Sequence, residues 1–194
     1  LKKPDELISL VEKIRNLHPH FFSVKMRIGF DSTENFLPLI KHFERIGVDA
    51  LTVHARTREQ MYSTPADWSY IKAAVEHVNI PIIANGDIWT LDDKNKVLEF
   101  TGCHSAMIAR GALKCPWLAR LEHRPVDKKN EIQNYFGALV EAWRSENVVE
   151  VNIVKKIKEL SRYLYEDIEG GDQIKRSILL SKNYHEQQGY IYAN

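Results

Sequence analysis

The sequence predicts an α/β fold with a parallel sheet, followed by a small all-helical bundle. From residue 4 to 120 a helix pattern, a short apolar run and a Gly or polar turn recur about every 30 residues, which is typical of βα units. After about residue 122 the strand-like runs end and only helical spacing remains. These two observations predict a βα domain over residues 1–122 and a helical domain over 123–194.

The first predicted helix spans about residues 4–17, with Pro4 near its start, where proline is tolerated. Its apolar residues follow the helical spacing i, i+3, i+4 and i+7, so this face is expected to cover the sheet. They are Leu7, Leu10, Val11, Ile14 and Leu17. The segment FSVKMRIG (22–29) follows as the first strand.

Capping residues mark the next elements. Asp31 and Glu34 form a capping-box pattern before a helix that Gly47 is expected to end. The segment ALTVHA (50–55) is the second predicted strand, and a helix follows at about 66–78.

The third predicted strand is IPIIANG (80–86), and the fourth is SAMIARG (105–111). Between them, Thr90 with Asp93 is expected to cap a helix that Gly102 closes. The loop after strand four is expected to lead into a helix at Pro116, and the helical domain follows. That domain is predicted as three helices and a polar, aromatic tail, with Gly170-Gly171 ending the second helix.

Composition narrows the function classes. The 27 basic and 26 acidic residues give a formal net charge of +1, so a nucleic-acid partner would need a local basic patch. The two cysteines lack a metal-ligand spacing, which favours a reducing, cytoplasmic setting without a metal site or a disulfide framework. No apolar run approaches the roughly 20 residues of a membrane span, and no membrane partner is expected. Because the first residue is Leu1, we expect the natural start to lie upstream.

Polar side chains gather at the carboxyl ends of all four predicted strands, where loops converge in parallel βα folds. Side-chain alternation places Lys25 and Arg27 on one face of strand one. It places His54 and Arg56 on one face of strand two. The set is Lys25, Arg27, His54, Arg56, Asn85, Gly86, Asp87, Arg110 and Gly111. Each residue alone has a structural interpretation, and only their positions at successive strand ends favour a common cavity.

Such a cavity suits a planar heterocycle that carries a phosphate. Backbone N–H groups around Arg110 and Gly111 are expected to bind the phosphate. Flavin mononucleotide (FMN) fits this description, with Lys25 against the N1/O2 edge of the ring and His54 as a donor to another ring heteroatom. The predicted chemistry is hydride transfer.

Four segments carry a family resemblance: VKMRIG, LTVHARTREQMY, IPIIANGDI and GCHSAMIARGALKCPWL. In order and spacing they resemble the signature blocks of tRNA-dihydrouridine synthases, FMN enzymes that use NADPH to reduce the C5=C6 bond of uridine in tRNA. The resemblance covers about residues 20–118. It implies the C-terminal half of a (β/α)8 TIM barrel, strands five to eight, followed by a helical tRNA-binding bundle.

The resemblance also implies roles for individual residues. The flavin contacts fall on Lys25, His54, Asn85, Gly86 and Asp87, and the phosphate loop on Ala109, Arg110 and Gly111. Arg56, Arg58 and Gln60 are expected to extend outward beside the RNA path, although plain loop solvation is an equal alternative for Arg58 and Gln60.

Two departures from the family pattern are small: Ala55 replaces a usual glycine, and His104-Ser105 stands where Asp-Gly is common. The larger departure is upstream. The family's acid cysteine belongs to the other half of the barrel, and neither Cys103 nor Cys115 matches its position. We therefore expect no catalytic residue in this chain and no turnover by it alone.

Half a barrel leaves sheet edges unpaired. The N-terminal half of the natural protein, or a second copy, is expected to cover them. The alternatives are a noncatalytic RNA-binding module, a partial barrel without turnover, or another phosphate-binding barrel enzyme. In the RNA-binding module a basic stripe would be supplied by Lys155, Lys156, Lys158 and Arg162, although the pattern favours a solvated helix face for these residues. The sequence does not fix which uridine is reduced.

Overall fold

Four parallel strands form one sheet in the order β1-β2-β3-β4 in the computed structural model, which describes residues 1–120 and 127–193. The strands are β1 (Ser23–Gly29), β2 (Ala50–Thr57), β3 (Ile82–Asn85) and β4 (Ser105–Ala106). The helices of this region are α1 (Pro4–Leu17), α2 (Phe36–Ile46), α3 (Ser69–His77) and α4 (Leu91–Thr101). One helix connects each strand to the next, as the βα rhythm predicts, and the arrangement is consistent with part of a TIM barrel.

The sheet packs against its helices through alternate residues. On β2, Leu51, Val53 and Ala55 are buried in the hydrophobic core, and Met26 and Ile28 on β1 join the same core. The residues between them point to the opposite face of the sheet, which we call the inner face. The core therefore lies on one side, and the chemically reactive side chains lie on the other.

The apolar stripe of α1 covers the sheet only in part. Val11 is buried and Leu7 is partly buried against the core, but Leu10, Ile14 and Leu17 are exposed. The prediction that all five residues face the sheet is wrong. Only the edge of α1 that carries Leu7 and Val11 packs against the core, and the helix contacts α2.

Two of the predicted caps differ in outcome. The Asp31–Glu34 capping box is wrong: α2 begins at Phe36 without a side-chain cap, and the Asp31 carboxylate accepts a hydrogen bond from the Ser32 backbone instead. The Thr90–Asp93 box at the start of α4 is confirmed, with both reciprocal hydrogen bonds present.

Strand four is much shorter than predicted, because the segment 105–111 is extended only at Ser105–Ala106. The Met107 backbone still donates to the Ala84 carbonyl at 2.7 Å, but the Met107 carbonyl accepts from the Asn85 side chain at 2.9 Å. The Met107 carbonyl thus bonds to a side chain instead of to the backbone of a neighbouring strand, and the chain leaves the sheet.

The chain divides into two compact units, Leu1–Ala109 and Arg110–Asn194. The described part of the second unit is helical, with α5 (Arg110–Lys114), a 3-10 helix (Pro116–Arg120), α6 (Lys128–Ser145), α7 (Glu150–Leu164), α8 (Gly171–Leu180) and α9 (Tyr184–Ile191). The predicted boundary between 122 and 123 lies outside the described residues.

The helices of the second unit pack around their own apolar core. Ile132 and Phe136 of α6, Ile157 and Leu164 of α7, and Ile178 of α8 are fully or almost fully buried in it. The polar tail that the sequence predicts after α8 is wrong: it forms α9, which packs its buried Ile191 into this core.

Candidate functional site

Three polar residues form a row across the inner face of the sheet. Arg27 on β1 is in register with His54 on β2, and His54 is in register with Asn85 on β3. Lys25 lies two residues before Arg27, so it shares this face and is in register with Thr52. The sheet therefore brings together Lys25, His54 and Asn85, as the strand-end pattern predicts.

Lys25 is an exposed cation on the inner face. Among the described residues, none accepts a hydrogen bond from its ammonium or forms an ion pair with it. Partial enclosure by the protein lowers the pKa of Lys25 below its ordinary value of 10.5, and the positive charge of Arg27 lowers it further. This pair of cations is therefore a site where negative charge would be stabilised.

Arg27 holds the loop that follows β2. Its guanidinium donates to the Thr57 carbonyl at 2.7 Å and to the Met61 carbonyl at 3.3 Å. The loop in turn places the exposed Tyr62 ring near two guanidinium groups, 5.7 Å from that of Arg27 and 5.8 Å from that of Arg56. The His54 ring centroid lies 6.3 Å from the Tyr62 ring centroid.

His54 and Arg56 are both buried, with exposed fractions of 7% and 3%. One terminal nitrogen of Arg56 lies 3.3 Å from His54 Nε2. The Arg56 Nε donates to the Thr64 carbonyl at 2.6 Å, and the second terminal nitrogen forms an ion pair with the Asp87 carboxylate. Arg56 is thus fixed on three sides.

The expectation that Arg56 extends outward is wrong, because a guanidinium buried this deeply keeps its protein partners rather than solvent. Gln60 is half-buried, and its side-chain oxygen accepts from the Thr57 backbone at 2.7 Å, so it closes the loop. Arg58 is exposed beside Met61. Of these three residues, only Arg58 has the outward position that the sequence predicts.

The turn after β3 has an unusual backbone. Gly86 has a φ of 111° and Asp87 a φ of 52°, in the region that L residues other than Asn and Asp rarely adopt. The Gly86 carbonyl accepts from the Trp68 indole at 2.9 Å, and the Asp87 carboxylate accepts from the Ala66 backbone at 2.8 Å. These contacts hold the turn against the segment before α3 and aim the Asp87 carboxylate at Arg56.

Comparison with known proteins matches this chain to one family model, described as dihydrouridine synthase, over residues 1–188. The chain belongs to the dihydrouridine synthase family. The tRNA-dihydrouridine(16) synthase of Aquipseudomonas alcaligenes is 37% identical over 62% of this chain and 39% of its own length. The tRNA-dihydrouridine synthase B of Pasteurella multocida is 37% identical over 66% of this chain and 39% of its own length. A probable tRNA-dihydrouridine synthase of Rickettsia bellii is 46% identical over 52% of this chain.

The matched stretch thus spans about two fifths of the first two of these relatives. In this member of the dihydrouridine synthase family, the inner-face row lies within the first unit.

The predicted phosphate loop divides between the two units. Ala109 ends the first unit, whereas Arg110 and Gly111 begin α5 in the second. The expectation of a loop that enters a helix at Pro116 is therefore wrong: a helix already begins at Arg110, and Pro116 opens a 3-10 helix. The role of these residues in phosphate binding stays a prediction.

Sequence reasoning missed two features of the site. It assigned nothing to Tyr62, although this aromatic residue stands in the same quoted segment as His54. It also missed the Arg56–Asp87 ion pair, because the pairing depends on a turn conformation that has no periodic signal.

The two cysteines lie outside the inner-face row. Cys103 is buried and donates to the Ser105 carbonyl at 3.3 Å, and Cys115 is half-buried; both are free thiols. Within residues 1–120 and 127–193, no helix has the length and apolar character needed to cross a bilayer. The same residues contain no cluster of three metal-ligating side chains.

Proposed function

We propose that this chain supplies part of the flavin site of an enzyme that reduces uridine to 5,6-dihydrouridine in tRNA, with FMN as cofactor and NADPH as reductant. The observation that carries the proposal is the Lys25 ammonium, which lies beside Arg27 on the same face as His54 and has no partner among residues 1–120 and 127–193. The names of the relatives, which are tRNA-dihydrouridine synthases, support tRNA as the substrate.

The side chains of the inner face fit a flavin. The ring becomes more negative at its N1/O2 edge on reduction, and Lys25, which has no anionic partner in the described part of the chain, would stabilise that charge. Partial burial is the larger cause of the lowered pKa of Lys25, and repulsion by the adjacent Arg27 lowers it further. An anionic ligand at this position relieves that repulsion.

The proposed roles of the other residues follow their positions. His54 would contact a second heteroatom of the ring, while Asn85, Gly86 and Asp87 would form the edge of the site after β3. Ala109, Arg110 and Gly111 would hold the phosphate through their backbone N–H groups. FMN held by these residues would supply hydride-transfer chemistry for the C5=C6 bond of uridine, with NADPH as the source of the electrons.

The RNA contacts are proposed for the exposed part of the loop after β2. Arg58 has an exposed guanidinium suited to phosphate oxygens, whereas Arg56 supports His54 from within the fold. This chain would supply strands five to eight of the barrel. The proton donor, a cysteine in the family, would come from the N-terminal half. The helical domain would bind tRNA, and the setting would be the cytoplasm.

The test compares the full-length protein with its Lys25→Met variant. We expect purified wild-type protein to show flavin absorbance and to form dihydrouridine in unmodified tRNA when NADPH is added. In Lys25→Met we expect lower flavin occupancy or a slower NADPH-dependent bleaching of the flavin bands. Lys13→Met is the matched control, because Lys13 is an exposed lysine on α1, outside the inner face.

The outcomes separate the candidate functions. A colourless full-length protein that binds tRNA in a salt-sensitive manner would favour the RNA-binding module. A yellow protein whose flavin content and reduction rate are identical in wild type and Lys25→Met would remove the role of Lys25. Basic residues of α7 favour the RNA-binding module only weakly, because Lys158 donates to the Ser181 carbonyl and Lys156 lies over the Trp143 ring.

A further inference from the structure

Within the described residues, the Arg56 side chain makes three hydrogen-bonding contacts. Two of them, with the Thr64 carbonyl and the Asp87 carboxylate, join a donor to an obvious acceptor. The third joins a terminal nitrogen of Arg56 to His54 Nε2, two groups that can each carry a proton. This third contact therefore contains information about the protonation of the histidine.

An arginine guanidinium has five N–H donors, no acceptor, and keeps its charge at any pH relevant to proteins. At 3.3 Å, Nε2 of His54 must therefore accept the hydrogen bond. A neutral imidazole with an unprotonated Nε2 carries its proton on Nδ1. The imidazolium form would place an N–H against an N–H, and a positive charge against a positive charge, in a buried environment.

Asp87 fixes the guanidinium in the position that this contact needs. Its carboxylate pairs with the Arg56 nitrogen that does not face His54, and it also accepts from the Ala66 backbone at 2.8 Å. Because Arg56 is only 3% exposed, its charge needs this counterion. The turn conformation at Gly86 and Asp87 holds the carboxylate in place.

We propose that Asp87 and Arg56 are positioning residues that hold His54 as the neutral Nδ1–H tautomer. A hydrogen bond that His54 donates, to the protein or to a ligand, then comes from Nδ1 alone, so its partner there is an acceptor, such as a carbonyl oxygen or an unprotonated ring nitrogen. The inference deepens the proposed flavin site and depends on that function only for the identity of the acceptor. It also gives Asp87 a role through Arg56, besides its proposed place at the edge of the site.

The experiment records the two ring nitrogens of His54 by NMR. Full-length protein is labelled with ¹⁵N-histidine, and two-bond ¹H–¹⁵N correlation spectra distinguish protonated from unprotonated ring nitrogens. The His54 signals are assigned by their loss in His54→Gln. We expect Nδ1 to be protonated and Nε2 to be the unprotonated nitrogen across neutral pH.

Three variants test the chain of contacts. Arg56→Met removes the donor, and we expect Nε2 of His54 to gain proton occupancy. Asp87→Asn keeps the shape of the side chain but removes its charge, and we expect a smaller shift in the same direction. Asp49→Asn is the matched control: Asp49 also pairs with an arginine, Arg15, at 3.0 Å, but away from His54, so the His54 signals should not move.

Each result decides the proposal. A protonated Nε2 in the wild type would overturn it, as would a tautomer that persists unchanged in both Arg56→Met and Asp87→Asn. If Arg56→Met fails to give a dispersed amide spectrum, Asp87→Asn supplies the decision, and an unchanged His54 tautomer in that variant would overturn the proposal. Flavin absorbance of the same samples is read separately, so a colourless protein with the expected tautomer would count against the flavin site and leave the positioning role intact.

Discussion

Gly86 lies directly against the His54 ring: a Cβ atom added to Gly86 would come within 3.0 Å of His54 Cδ2 and within 2.9 Å of the Ala66 Cβ. The turn after β3 thus touches the same imidazole ring that Arg56 contacts through Nε2. His54 is held from two directions, and both contacts depend on the backbone at Gly86 and Asp87.

Gly86→Ala should disturb both the backbone and the histidine. The φ of 111° alone strains an alanine by about 1–3 kcal/mol, and the contact with His54 adds to that cost. We expect a lower free energy of unfolding in urea and a change in the NMR signals of the His54 ring. Gly102→Ala is the control, since Gly102 has a φ of 67° and open space at the Cβ position. Equal losses in the two variants would show that the His54 contact is unimportant.

Lys25→Met should change the pH dependence of stability. The pKa of Lys25 is lower in the folded chain than its ordinary 10.5, so between these two values the unfolded chain binds more protons. The stability cost of the charged lysine is thus full below the lowered pKa and fades as pH rises to 10.5. We expect Lys25→Met to gain stability relative to wild type at neutral pH, and this gain to vanish above pH 10.5.

Lys114→Met provides a control of opposite sign for that measurement. Hydrogen bonds to Asp167 and Glu166 raise the pKa of Lys114, so its contribution is present below 10.5 and is lost as pH rises through the folded value. We expect Lys114→Met to lose stability relative to wild type at neutral pH. Urea unfolding of the three proteins from neutral pH upward measures both differences, and parallel curves for all three would contradict the assignment.

Much of the first unit is predictable because its signals are local. The alternation in β1 and β2 predicts which face is apolar, and Lys25, His54 and Asn85 come to one face because parallel strands in register align their alternate residues. The Thr90–Asp93 cap is likewise a short-range pattern, because its two residues are three positions apart in the sequence.

The errors lie where distant residues decide the outcome. β4 ends early because the Asn85 side chain, 22 residues away, occupies the Met107 carbonyl. Arg56 is buried because its charge is paired with the Asp87 carboxylate. Asp87 is 31 residues away along the chain and adopts a positive φ. Neither contact has a periodic signal in the sequence. Prediction from the sequence pattern therefore makes strand four too long and places Arg56 too far outward.

The cap of α4 should contribute measurably to stability. The Thr90 hydroxyl accepts from the Asp93 backbone at 3.1 Å, and the Asp93 carboxylate accepts from the Thr90 backbone at 3.1 Å. We expect Thr90→Ala to lower the free energy of unfolding by about 1 kcal/mol, as is typical of a lost N-cap. Thr90→Ser keeps the hydroxyl and should retain most of the stability in the same urea titration. Identical losses in both variants would mean that the methyl group, not the cap, matters.

Two buried serines of the second unit should respond in opposite ways to the same substitution. Within the described residues, the Ser161 hydroxyl on α7 has no hydrogen-bond partner although the residue is fully buried. The Ser181 hydroxyl donates to the Ile178 carbonyl at 2.6 Å. A buried hydroxyl without a partner costs about 1–3 kcal/mol, whereas a satisfied one contributes about 0.5–1.5 kcal/mol.

We therefore expect Ser161→Ala to raise the free energy of unfolding by about 1 kcal/mol and Ser181→Ala to lower it by a similar amount. Thermal and urea unfolding of both variants beside wild type measure the two changes. The comparison isolates the hydrogen bond, because both substitutions remove one buried oxygen from the same helical unit. If Ser161→Ala destabilises the protein as much as Ser181→Ala does, the Ser161 hydroxyl has a partner in solution, and the helix core around α7 is more polar than its side-chain contacts indicate.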